Sequence, residues 1–88
     1  VRAGLLLLML ASPVAAAAPP GASSCSGCHG APGGAVPSLI GHSAEDIAAS
    51  LSAFRSGARP ATVMNRIAKG FSESESRAIA DYLAGGGQ

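Results

Sequence analysis

Two cysteines and a histidine packed into five residues, Cys25-Ser26-Gly27-Cys28-His29, constrain this chain more than anything else in it. On a helix the cysteines fall at i and i+3 and the histidine at i+4, so all three side chains project from one face. Ser26 and Gly27 between them are small, which lets a flat body come close. C-x-x-C-H is the attachment signature of a c-type haem, with two thioethers and an imidazole reaching the iron from one side. The rival readings ask for more than the chain offers. A thioredoxin-like redox dithiol sits in a βαβ context, and no alternating β-branched run of strand length occurs here. A zinc site needs two further ligands, and past the motif His42 is the only other His or Cys. A disulfide between Cys25 and Cys28 is the remaining alternative.

Eighty-eight residues make one domain at most. Residues 1–18 read as a signal peptide and 19–88 as the domain. Val1-Arg2 is a minimal basic start, Gly4 to Ala11 is an apolar core, and Ala15-Ala16-Ala17-Ala18 offers A-x-A cleavage near Ala17 or Ala18. The apolar run falls short of the roughly 20 residues that span a bilayer; an uncleaved anchor is the alternative. The expectation is export to the periplasm, with no membrane attachment after cleavage. A domain of roughly 70 residues has a thin core and usually needs a staple. The aromatic residues are Phe54, Phe71 and Tyr82, with no Trp, so a covalently held haem would supply much of the missing volume. Past residue 18, five cations (Arg55, Arg59, Arg66, Lys69, Arg77) balance five acids (Glu45, Asp46, Glu73, Glu75, Asp81). No basic stripe of the kind that nucleic-acid binding needs is present.

The local signals are those of short helices joined by long loops. Ala18-Pro19-Pro20-Gly21 is a stiff lead-in, with Pro20 suited to the start of a cysteine-bearing helix, and Gly30 to Gly34 ends that helix. Ser43 caps a second helix, with Glu45 and Asp46 in its first turn and Ile47, Leu51 and Phe54 on one face. Gly57 ends it. Residues 58–64 contain Pro60 and no helical period, which predicts a loop. Asn65 to Lys69 reads as a helical turn closed by Gly70 in the C′ position. Ser72 and Glu75 form a capping box for the last helix, whose expected buried face is Ala78, Ile79, Tyr82 and Leu83.

If His29 binds a haem iron, a second axial ligand is the next question. Met9 lies in the signal, so Met64 is the only methionine of the domain, 35 residues past His29 and in the Pro-containing loop. His/Met ligation is the pattern of electron-carrying c-type cytochromes. A methionine more commonly fills a core, but this one has no periodic partner. His42, only 13 residues past His29 and next to the Ser43 cap, is the rival ligand and reads better as a solvated loop residue. Arg59, Arg66 and Lys69 flank Met64 in sequence; a solvated surface is the plain reading, and pairing with haem propionates or an acidic partner the sharper one.

With these residues assembled, the chain past its signal resembles a class I cytochrome c over nearly its whole length. Cys25, Cys28 and His29 match that family's haem site, Pro37-Ser38-Leu39 its Pro-x-Leu, and Met64 its distal ligand. A closer likeness, over Phe54 to Gly57 and Met64 to Ser72, is to the cytochrome subunit of flavocytochrome c sulfide dehydrogenase. The resemblance implies a small all-α class I cytochrome c fold, with three to four short helices wrapped around one covalent haem c. It implies that the Pro37 carbonyl accepts from the His29 Nδ1–H, that Leu39 packs on the haem, and that His29 and Met64 bind the iron. It further implies a flavoprotein partner subunit, carrying FAD, that oxidises sulfide in a heterodimer with the cytochrome. The cytochrome then passes electrons to a periplasmic acceptor such as another cytochrome c, and is not catalytic by itself. The alternative is a free soluble shuttle of the c4 or c-553 type, between a dehydrogenase or cytochrome complex and a terminal oxidase. A haem enzyme or sensor would need an open sixth position. Many subunits of the family carry two haem domains, whereas this chain holds one motif. The lead-in before Cys25 is also short, so the Ile79/Tyr82/Leu83 face is expected to lack part of its usual cover, a gap that a partner subunit would fill.

Overall fold

A computed structural model of the chain describes Gly4, Leu7, residues 17–30 and residues 32–86. The signal-peptide reading of 1–18 therefore falls almost wholly outside the described residues. Four helices follow in order, α1 (Ala22–His29), α2 (Ala44–Ser56), α3 (Met64–Ala68) and α4 (Glu73–Ala84), and no strand occurs among the described residues. No helix among them is long and apolar enough to cross a membrane.

The ends of α2 and α4 form where local chemistry directs them. The Ser43 hydroxyl accepts from the Asp46 N–H at 3.1 Å, satisfying a donor that the first turn leaves unpaired. Gly57 closes α2 in the left-handed region, at φ 85°. At α4 the capping box is complete: the Glu75 N–H donates to the Ser72 hydroxyl at 3.1 Å, and the Ser72 N–H donates to the Glu75 carboxylate at 2.9 Å. That bond and a second one from the Ser72 side chain hold the Glu75 carboxyl below its ordinary value of 4.5.

Packing is dominated by α2 against α4, with α3 laid on α2 and α1 on α4. Ile47, Leu51, Ala68 and Ala80 form the core cluster, and Ala44, Ala48, Phe54, Met64 and Leu83 pack around it. The alanines matter as much as the large side chains here, because they let helix backbones approach closely. Each fully buried Ile or Leu contributes about 1.5–3 kcal/mol, and among the described residues only Ile47, Leu51 and Ile79 are large and buried. The core is thin, as the aromatic-poor composition implies.

The structure corrects several expectations. The inner face of α4 is Ser76, Ile79 and Ala80, with Tyr82 and Leu83 half-buried, while Ala78 points outward. Ile79 does not lack cover: it is 1% exposed, and Ala22 of α1, the helix docked on α4, is fully buried. Pro20 precedes α1 without entering it. Gly21 is the cap residue, at φ 88°, and a Cβ there would fall 2.5 Å from the Phe71 ring, so both conformation and space call for glycine. Met64 opens α3 instead of lying in the loop, and Lys69 caps α3 at an ordinary φ of −66°. Gly70 follows that cap without adopting the left-handed conformation expected of it, its N–H donating to the Ile67 carbonyl at 3.0 Å.

Candidate functional site

Helix α1 carries Cys25, Cys28 and His29 at the spacing that aligns them on one face. Cys28 is exposed and Cys25 half-buried. Burial pushes the Cys25 thiol up; a hydrogen bond from its own backbone N–H pulls the other way, and the like charge of Cys28 adds to the rise. The thiol donates to the Gly21 carbonyl at 3.7 Å.

His29 is fixed twice. Its ring Nδ1 lies 2.6 Å from the Pro37 carbonyl oxygen, eight residues on. A carbonyl only accepts, so the proton of the neutral ring sits on Nδ1 and the Nε2 lone pair is left for a metal. This is the outer-shell bond that usually orients a metal-binding imidazole. The second tie is in the backbone, where the Leu39 N–H donates to the His29 carbonyl at 3.3 Å. Nothing in the sequence pointed to that bond; it needs residues 37–39 to lie back against the end of α1. Leu39 itself is half-buried. Beyond it the His42 N–H donates to the Leu39 carbonyl at 3.2 Å, and the His42 side chain is exposed in this turn.

Met64 is held differently. It is half-buried at the first position of α3 and packs on the core cluster of Ile47, Leu51, Ala68 and Ala80. The hydrogen bonds that join His29, Pro37 and Leu39 do not extend to it. Beside it the side-chain oxygen of Asn65 is buried with no hydrogen-bond partner, an uncommon condition for a polar atom. Asn65 was not singled out from the sequence. Arg59, Arg66 and Lys69 are all exposed, in keeping with a solvated surface. Arg59 does more than meet water: its guanidinium carbon lies 4.7 Å from the centroid of the Phe54 ring.

These residues fit a haem on their donor chemistry and on the apolar side chains next to them. Two thiols and an imidazole share one face, and a thioether is offered from a separate helix. Val36 and Ile40 border Pro37 and Leu39, and Val63 and Ile67 border Met64; they are 39%, 57%, 58% and 43% exposed. Large apolar side chains left open beside both candidate ligands suit a broad apolar cofactor. A groove of about 410 Å³ lies elsewhere, between α2 and α4, walled by Glu45, Arg55, Glu73 and Arg77. It contains none of the motif residues, and its charged rim is wrong for that cofactor.

Comparison with known proteins points the same way. A family model described as cytochrome C oxidase, cbb3-type, subunit III matches residues 17–83. The cytochrome subunit of sulfide dehydrogenase from Chlorobaculum tepidum is 45% identical over 63 residues, covering 68% of this chain and 57% of that protein. Two proteins named thiosulfate dehydrogenase electron acceptor are each 41% identical. That of Stutzerimonas stutzeri is matched over 71 residues, 73% of this chain and 33% of its own length. That of Thiomonas intermedia is matched over 74 residues, 78% of this chain and 34% of its own length. The chain thus spans a little over half of the first relative and about a third of the other two.

Proposed function

The chain belongs to the c-type cytochrome family whose model it matches over residues 17–83, and from that membership we propose that it is the electron-accepting haem domain of a periplasmic sulfide dehydrogenase. Cys25 and Cys28 would hold one haem c through thioethers, and His29 and Met64 would bind its iron. The haem supplies one-electron redox chemistry when bound. The chain's own residues do the rest. Pro37 holds the His29 ring in the tautomer that presents Nε2, Leu39 ties the loop to the His29 backbone, and the core cluster seats Met64. A thioether from Met64 on the iron would favour electron transfer over oxygen chemistry and raise the potential. The oxidation of sulfide would belong to a flavoprotein partner carrying FAD, and electrons would leave to a periplasmic acceptor such as another cytochrome c.

The His29–Pro37 bond is the observation that carries this reading, because it orients the ring while Nε2 has no hydrogen-bond partner among the described residues. The 45% identity to a sulfide dehydrogenase subunit supports the choice of partner. The two thiosulfate dehydrogenase electron acceptors favour a second reading, in which thiosulfate oxidation supplies the electrons.

Spectra of the protein purified from its native source test the assignment. The expected result is one haem per chain, flavin in the same complex, reduction by sulfide, and the weak red absorption of an iron–sulfur bond in the oxidised state. Met64→Ala is expected to abolish that band and lower the potential. Survival of the band in Met64→Ala would overturn the ligation. Reduction by a thiosulfate dehydrogenase, with no flavoprotein bound, would select the second reading.

A further inference from the structure

Met64 is delivered by residues 57–63, and only the first part of that segment is tied down. Gly57 turns the chain off α2 at φ 85°. The Ala58 N–H then donates to the Ser56 hydroxyl at 3.3 Å, and the Arg59 N–H to the Ala53 carbonyl at 3.1 Å. The Arg59 side chain folds the same way as its backbone, laying the guanidinium 4.7 Å over the Phe54 ring. Pro60 has no N–H to give, and from residue 61 to residue 63 no backbone N–H donates to another described residue. The loop is therefore anchored at Arg59 and picked up again only by α3, whose first residue is Met64.

Phe54 closes the circuit. It packs on the same core cluster as Met64, so an arginine stacked on Phe54 holds the loop to the surface on which the methionine is seated. We propose that Arg59 is a positioning residue for Met64, clamping the loop to the last turn of α2 and so fixing where α3 begins. The proposal rests on Met64 being an iron ligand and adds to that reading what keeps the ligand in place. It separates Arg59 from Arg66 and Lys69, which share its charge and its neighbourhood in sequence without an aromatic partner among the described residues.

The test uses the full haem-loaded chain with Arg59→Ala, Arg59→Lys and Phe54→Leu. The readouts are the iron–sulfur band, the rate at which added imidazole displaces the thioether, and the urea midpoint. Loss of a stacked arginine at an exposed site is expected to speed displacement by about two- to fivefold, with the urea midpoint little changed. Arg59→Lys should recover most of the wild-type rate, since the backbone bond and a cation over the ring both remain. Phe54→Leu should match Arg59→Ala although it removes no charge. A wild-type rate in Arg59→Ala overturns the proposal. So does a wild-type rate in Phe54→Leu beside a fast Arg59→Ala, which would make Arg59 a charge acting on the haem or a partner. If Phe54→Leu does not fold, amide exchange at residues 61–65 decides: faster exchange in Arg59→Ala than in Arg59→Lys supports the clamp, and equal exchange overturns it. A missing iron–sulfur band in the unsubstituted protein overturns the ligation by Met64 itself, a failure distinct from either of these.

Discussion

The two candidate iron ligands are held by opposite means. His29 ends an eight-residue helix and is fixed by hydrogen bonds to residues eight and ten positions away, Pro37 through the ring and Leu39 through the backbone. Met64 begins a five-residue helix and is fixed by packing on side chains from three helices, with no hydrogen bond of its own side chain among the described residues. Hydrogen bonds specify angle, and a nitrogen ligand needs its lone pair aimed. A thioether is soft and flexible about several bonds, so it needs to be brought to a place more than pointed along a direction. The difference teaches that the His29 half is a local device, whereas the Met64 half depends on the whole core.

The comparison breaks most readily at the core. Leu51→Ala removes one of the three large buried side chains among the described residues and is expected to cost about 2–5 kcal/mol in urea unfolding. If the Met64 half is the dependent one, the iron–sulfur band should disappear at lower urea than the helical signal. Simultaneous loss of both would show that the halves are equally coupled to the core.

Gly21→Ala tests the opposite side. The residue would have to occupy φ 88° and push its Cβ against the Phe71 ring, at a cost of about 1–3 kcal/mol. Thermal unfolding should report that cost, while the rate of thioether displacement by imidazole stays near wild type, because Gly21 anchors α1 and not α3. A large change in that rate would mean that the two halves communicate through Phe71.

The smallest effect should come from Glu75, which touches neither half. Its folded carboxyl sits below the ordinary 4.5, so the ionised form is the one that folding favours. Its contribution is complete above that ordinary value and is lost as pH falls through the lowered one. Glu75→Gln should therefore differ from wild type by more at pH 7 than at pH 3 in urea midpoint, and at neither pH in the iron–sulfur band.

Much of the frame was legible from single residues. Ser43, Gly57, Ser72 and Glu75 set helix ends through contacts within a few positions, so the sequence shows both partners of each bond. The same holds for Cys25, Cys28 and His29, whose alignment on one face is a matter of spacing. Met64 is a different case. A helix of five residues is too short for a hydrophobic period to register, and it reads as loop until α2 is there to pack against. The inner face of α4 was misjudged for a related reason: Ala78 and Ala80 are the same residue, so neither hydropathy nor size separates them, and the rotation of α4 in its packing decides that Ser76, Ile79 and Ala80, at i, i+3 and i+4, turn inward.

By itself the sequence determined the attachment motif, the caps of α2 and α4 and the thinness of the core, because each depends on residue type or on neighbours a turn away. Tertiary structure alone decided that Gly21 must admit the Phe71 ring, that Ala22 and Ile79 are buried where α1 docks on α4, and that Arg59 stacks on Phe54 across the end of α2. Those contacts join elements whose relative placement is set by mutual burial. No residue carries that information until its partners are in place.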